Sequence, residues 1–185
     1  MPDVERFRPL TMGNPEPGSA FISFAYGSNM STRRLCERVP SARVIGVGVL
    51  KGYKLCWHKV SKKDGSGKCD AALTDAAGSE IHGVLYEIAL AEKSKLDRAE
   101  GLGAGYDEKD VVVECQGRPI TARMYYATNT DPSLKPWSWY KAHVMAGARE
   151  HGLPAAYVAV IEGTEAAQDP DATRHAKQMA LVPSS

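Results

Sequence analysis

Six short runs of apolar and β-branched residues punctuate the chain: Phe21 to Tyr26, Val44 to Leu50, Tyr53 to His58, Ile81 to Ile88, Val111 to Cys115 and Ile120 to Ala127. Each has the length and the side-chain type of a strand. Their connections decide how they pair. Lys51-Gly52 and Gln116-Gly117 leave room only for tight turns, and the polar Ser61 to Lys68 stretch only for a short loop. Connections this short favour antiparallel neighbours over βαβ crossovers. Helical patterns are fewer. Thr32 to Val39 sets Leu35 and Val39 four apart and stops at Pro40; Ala91 to Glu100 pairs Lys93 with Asp97 and stops at Gly101. From Trp137 to His151, Tyr140, Val144 and Ala148 share one face, Pro136 suits the first turn, and Gly152 suits a left-handed terminating position. Pro154 to Glu162 reads as a short last helix. The sum predicts an α+β domain: a curved or barrel-like, mainly antiparallel sheet with surrounding helices.

The ends read differently. Residues 1–19 hold four prolines and no apolar period, which predicts a flexible leader. Residues 164–185 are polar and alanine-rich, which predicts a flexible tail with at most a short helix. The working domain is then 20–163, and 185 residues with 43% hydrophobic content can bury one core without staples. Lysine and arginine (23) nearly balance aspartate and glutamate (22), so no summed field would gather nucleic acid or an acidic membrane surface. No apolar run approaches a bilayer span, and the start of the chain lacks a signal-peptide pattern, which predicts a cytoplasmic protein without membrane contact. Cys36, Cys56, Cys69 and Cys115 form no C-x-x-C pair, and the five histidines show no ligand spacing. Neither a metal nor a cofactor is expected.

Two segments carry chemistry. Tyr26-Gly27-Ser28-Asn29 turns a strand into a helix: Gly27 can take backbone angles closed to other residues and admits a ligand close to the main chain. Ser28, Asn29 or Ser31 could cap the helix. Unpaired amides at such a turn favour a carboxylate or an oxyanion, although the four residues alone fit an ordinary capped turn as well. The second segment, Leu96-Asp97-Arg98-Ala99-Glu100-Gly101, puts a glutamate in the last turn of a helix, where exposed carbonyls disfavour its charge and raise its pKa. A general base near neutrality needs that direction; a solvated glutamate relieved by Arg98 is the plainer alternative. The glycine run from Gly101 to Gly105 follows a helix and leads toward a strand, the opposite polarity from a nucleotide-binding loop.

The run Phe24-Ala25-Tyr26-Gly27-Ser28-Asn29-Met30 resembles the Y-G-S-N-[LM] signature of the γ-glutamylcyclotransferases. Leu96-Asp-x-x-Glu100-Gly101, followed by Gly105-Tyr106, is similar to the family's second signature. Tyr140 with Gly147-Ala148-x-Glu150-x-Gly152-Leu153-Pro154 resembles a third. The resemblance spans roughly residues 21 to 160 and implies the family's fold. It also implies cofactor-independent, lyase- or acyltransferase-type cyclisation of a small-molecule γ-glutamyl compound to 5-oxoproline, as in glutathione metabolism, with release of an amino acid or amine. Under it Glu100 is the general acid/base, and Phe24, Ala25, Tyr26, Gly27, Ser28, Asn29, Tyr106 and Tyr140 contact the substrate. A homodimer is compatible with the family. Without the resemblance, Tyr140 reads as core beside Val144. Two rivals stand beside the cyclotransferase: a non-catalytic ligand-binding domain of the same fold, and a cysteine-dependent amide hydrolase, although no cysteine lies in a recognisable nucleophile turn.

Overall fold

The computed structural model describes residues 19–183; the leader expected at 1–19 lies almost entirely outside the described residues. Seven strands and five helices follow in the order β1 (Ala20–Ala25), α1 (Thr32–Arg38), β2 (Arg43–Lys51), β3 (Tyr53–Val60), β4 (Gly67–Leu73), β5 (Glu80–Ala89), α2 (Lys93–Glu100), β6 (Tyr106–Cys115), β7 (Arg118–Ala127), α3 (Ser138–Glu150), α4 (Ala155–Gly163) and α5 (Ala172–Met179). Five strands close into a barrel in the order β1-β5-β2-β6-β7. Four of its seams are antiparallel, and a parallel contact between Ser23 and Arg123 closes it. β3 and β4 form a separate antiparallel hairpin.

The turns explain this split. Gln116 and Gly117 both take positive φ, 50° and 73°, as a two-residue hairpin turn demands, and they join β6 to β7. Lys51-Gly52 differs from the expectation: β2 does not pair with β3, so Gly52 carries the chain out of the barrel into the separate hairpin. Inside the barrel glycines make room. A Cβ on Gly48 would lie 2.4 Å from Val113, and one on Gly83 would lie 2.5 Å from the carbonyl of Ala25. Phe24, Ile81, Val84, Leu85, Val113 and Met124 fill the buried core.

Helix α3 buries Tyr140, Val144 and Ala148 as its spacing predicts, and Gly152 takes φ 64° just beyond its end. Pro136 falls before the N-cap Trp137, outside the first turn. The segment from residue 164 onward carries one short helix, α5. Asp169 is buried, accepts from Trp139 Nε1 at 2.7 Å, and holds Arg174 of α5 at 2.5 Å. Among the described residues no helix is long and apolar enough to cross a membrane.

Candidate active site

β1 ends at Ala25, and the chain turns through a single 3-10 turn at Ser28–Met30 before α1 begins. That turn is clamped from behind. The Met30 carbonyl accepts from Tyr86 Oη at 2.7 Å and lies 2.9 Å from His151 Nε2. Gly147 of α3 packs directly onto it, since a Cβ there would come within 2.5 Å of the Ser31 nitrogen.

Two details depart from the sequence reading, and a third agrees with it. Neither Ser28, Asn29 nor Ser31 caps a helix with its side chain. Gly27 has φ −114°, so left-handed geometry is not what requires it; close approach is. A Cβ at Gly27 would stand 3.1 Å from Cys69 Cβ and 3.2 Å from the Tyr140 hydroxyl. Third, the amides of Gly27, Ser28 and Asn29 donate to no other group among the described residues, whereas those of Met30 and Ser31 close back onto Gly27 and Ser28. Three successive donors therefore remain available to an anion.

α2 delivers Glu100 to the same place. Leu96 is buried, and Gly101 takes φ 76° so that the amides of Gly101 and Leu102 both donate to the Asp97 carbonyl at 2.9 Å. The Asp97 carboxylate is tied to Lys93 and accepts from Tyr125 Oη at 2.6 Å, which fixes the helix end to β7. Glu100 then points inward, with 17% of its side chain exposed. Asn29 Nδ2 donates to Glu100 Oε1, while Asn29 Oδ1 accepts from Arg38 Nη1 at 2.8 Å. The cation beside Glu100 is thus Arg38 of α1, 3.7 Å away, and not Arg98. Burial holds the Glu100 carboxyl above its usual range, against the opposing pull of Arg38, Arg34, Lys59 and the Asn29 hydrogen bond. The direction matches the expectation, but desolvation outweighs the helix end as its cause.

One pocket gathers Phe24, Ala25, Tyr26, Gly27, Ser28, Asn29, Glu100, Tyr106 and Tyr140. The three tyrosine hydroxyls are tied to main chain: Tyr26 donates to the Tyr125 carbonyl at 2.5 Å, Tyr106 donates to the Cys69 carbonyl at 2.5 Å, and Tyr140 accepts from the Cys69 amide at 3.1 Å. Burial pushes all three phenols well above their ordinary range, so they act as neutral walls. Tyr140 is both core and pocket lining. The cavity, about 50 Å³, opens into a vestibule of about 420 Å³ across Ser28, Glu100, Tyr106 and Tyr140. Sequence reasoning missed Ser23, Leu35, Cys69 and Tyr125 in the inner wall. Cys69 is the cysteine in the pocket wall, but burial pushes its thiol up to about 12 and leaves it protonated at neutral pH. Among the described residues no group of three or more histidine, cysteine, aspartate or glutamate side chains could hold a metal ion.

Comparison with known proteins decides the family. The chain is 36% identical over 148 residues to a γ-glutamylcyclotransferase of Bos taurus, covering 77% of each chain, and 34% identical over 156 residues to that of Mus musculus, covering 81% of each. It belongs to the γ-glutamylcyclotransferase family. The AIG2-like family matches residues 80–161, the stretch from β5 to α4. A solved γ-glutamyl cyclotransferase superposes with a TM-score of 0.78 at 30% identity, over 87% of this chain and 98% of that one. A human protein described as uncharacterised superposes at 0.74 with 33% identity, over 80% and 90%. The γ-glutamylcyclotransferase fold, a mainly antiparallel barrel with surrounding helices, is thus the fold of this chain.

Proposed function

We propose that the chain converts a γ-glutamyl compound to 5-oxoproline and a free amine, with Glu100 as the general acid/base. The observation that carries this reading is the hydrogen bond between Asn29 and Glu100, which joins an anion-accepting turn to a carboxyl of raised affinity for protons. The chemistry is internal to the substrate. Its α-amine nitrogen attacks its own γ-carbonyl carbon, a five-membered ring closes, and the bond from that carbon to the leaving nitrogen breaks. No water is consumed.

The substrate's α-amine is mostly ammonium at neutral pH, with a pKa of roughly 8, so a base must first take its proton. The attacking nitrogen sheds two protons in all, one before attack and one as the ring closes, and the departing nitrogen gains two and leaves as an ammonium; Glu100 relays them, so the carboxyl ends as it began. The amides of Gly27, Ser28 and Asn29 supply donors to the substrate carboxylate or to the oxyanion formed on attack, in a site where water is largely excluded. Phe24, Ala25, Tyr26, Tyr106 and Tyr140 form a wall that holds the glutamyl chain in its folded conformer, which removes much of the entropic cost of closure. The same chemistry fits a cytoplasmic setting, where small γ-glutamyl metabolites and reduced thiols coexist.

Product analysis tests the reading. Incubation with a panel of γ-glutamyl amino acids and γ-glutamyl amines, followed by mass spectrometry, is expected to show 5-oxoproline in equal amount to the released amine. Glutamate in place of 5-oxoproline would mean hydrolysis and overturn it, and no product from any member of the panel would favour a binding module.

A further inference from the structure

The vestibule is charged out of proportion to the chain. The whole protein carries a formal charge of +1, yet seven cationic side chains line this cleft against two acidic ones, Asp64 and Glu100. Three of the seven have carboxylate neighbours: Lys68 on Asp64 at 2.7 Å, Arg174 on Asp169 at 2.5 Å, and Arg38 beside Glu100 at 3.7 Å. Lys62 and Lys63 are exposed and solvated.

Arg34 and Lys59 are in a different position. Arg34 donates from Nε to Ser28 Oγ at 3.2 Å and from Nη1 to Gln178 Oε1 at 3.1 Å, both neutral acceptors. Lys59 is 9% exposed, and its ammonium lies 4.5 Å from the centroid of the Tyr106 ring. Among the described residues that ammonium makes no hydrogen bond and no ion pair. Burial lowers the pKa of both groups, Arg34 to about 10, and Lys68 feels the repulsion of both. Among the described residues neither cation has a carboxylate at ion-pair distance, so Glu100, which feels both, returns only part of the cost of withdrawing them from water. Such a cost is offset when an anionic ligand arrives.

The location says which end of the ligand that is. Arg34 holds Ser28, and Lys59 rests on Tyr106; both anchors belong to the rim shared by pocket and vestibule, where Glu100 also stands. With the glutamyl chain in the inner pocket, the bond that breaks lies at this rim and the departing amine extends over the two cations. We propose that Arg34 and Lys59 determine specificity for an acidic leaving group, so that the best substrates release a dicarboxylic α-amino acid, one carboxylate to each cation. This rests on the cyclotransferase reading above. Lys62 and Lys63 add long-range attraction at the entrance, and the preference weakens as salt screens it.

The test compares kcat/KM for 5-oxoproline release from γ-glutamyl-glutamate, γ-glutamyl-alanine and γ-glutamyl-ethylamide. About a tenfold fall is expected at each loss of a carboxylate, as for a hydrogen bond to a charged group. In Lys59→Met, which keeps the packing on Tyr106, the ratio between γ-glutamyl-glutamate and γ-glutamyl-ethylamide should narrow by about tenfold. Arg34→Gln should narrow it likewise. Equal kcat/KM for all three compounds, or an unchanged ratio in folded Lys59→Met, overturns the specificity assignment while leaving the cyclisation standing. No 5-oxoproline from any of the three removes the cyclotransferase reading and this inference with it.

Discussion

At the residue scale the proposed chemistry depends on how Glu100 is held between two opposing influences. Burial raises its affinity for a proton, while Arg38, Arg34, Lys59 and the Asn29 amide pull the other way; desolvation prevails. The sign has two consequences. Turnover that needs the ionised carboxylate must fall as pH drops through the folded-state pKa, so the acid limb of the kcat/KM profile, which reports the free enzyme, should lie above the ordinary glutamate range of about 4.3. An acid limb at or below that range would contradict the raised carboxyl. For stability, a raised folded pKa means that the ionised side chain opposes folding at neutral pH and is neutral in its effect once both states are protonated. Glu100→Gln should therefore melt no lower than the parent at pH 7, and any advantage should vanish near pH 3. The charge pattern alone could not reveal this balance, because Arg38 and Asn29 reach Glu100 from about sixty and about seventy residues away. What the sequence did carry was the motif around it: buried Leu96, Asp97 as the anchor of the helix end, and Gly101 as the left-handed stop.

At the element scale the site depends on how closely α3 approaches the turn after β1. Gly147 lets the helix backbone press against Ser31, and a methyl group there has no space. Gly147→Ala should cost about 1–3 kcal/mol by overpacking and displace the 28–31 turn, which chemical denaturation and the KM for a γ-glutamyl compound would report together. Unchanged stability and KM would mean that the turn tolerates displacement. Regular elements with clean apolar spacing were legible in advance, including α1, α2, α3 and four of the five barrel strands within two residues; β6 was read only from Val111, although it starts at Tyr106. β4 was not. In Gly67–Leu73 the buried Asp70 breaks the pattern; it is satisfied by His58 Nε2 across the hairpin and by the Ala127 amide, both at 2.8 Å, and the second partner exists only once the hairpin meets β7. α5 was hidden for the opposite reason, since none of its residues is fully buried and its anchor, Asp169, lies outside it. The vestibule cations share this problem: they come from α1, β3, β4, α5 and the loop between β3 and β4, and no spacing in the chain links them.

At the scale of the whole molecule, closing the barrel is what creates the pocket. β1 lies between β5 and β7, so the turn that leaves its end faces both the end of α2, which follows β5, and Tyr125 of β7. The C-terminal segment completes the outer wall through Asp169. Asp169→Ala would strand the Trp139 indole N–H in a buried position and should cost about 1–2 kcal/mol, a fall of several degrees in Tm. A Tm unchanged within a degree would mean that the segment rests on the domain without supporting it. The central claim is narrower: a carboxyl carried by α2 serves a substrate gripped by the turn after β1. Steady-state release of 5-oxoproline by Glu100→Gln, measured on protein shown to be folded, tests it most directly. The predicted result is a loss of about two to four powers of ten in kcat. Turnover within threefold of the parent would contradict it.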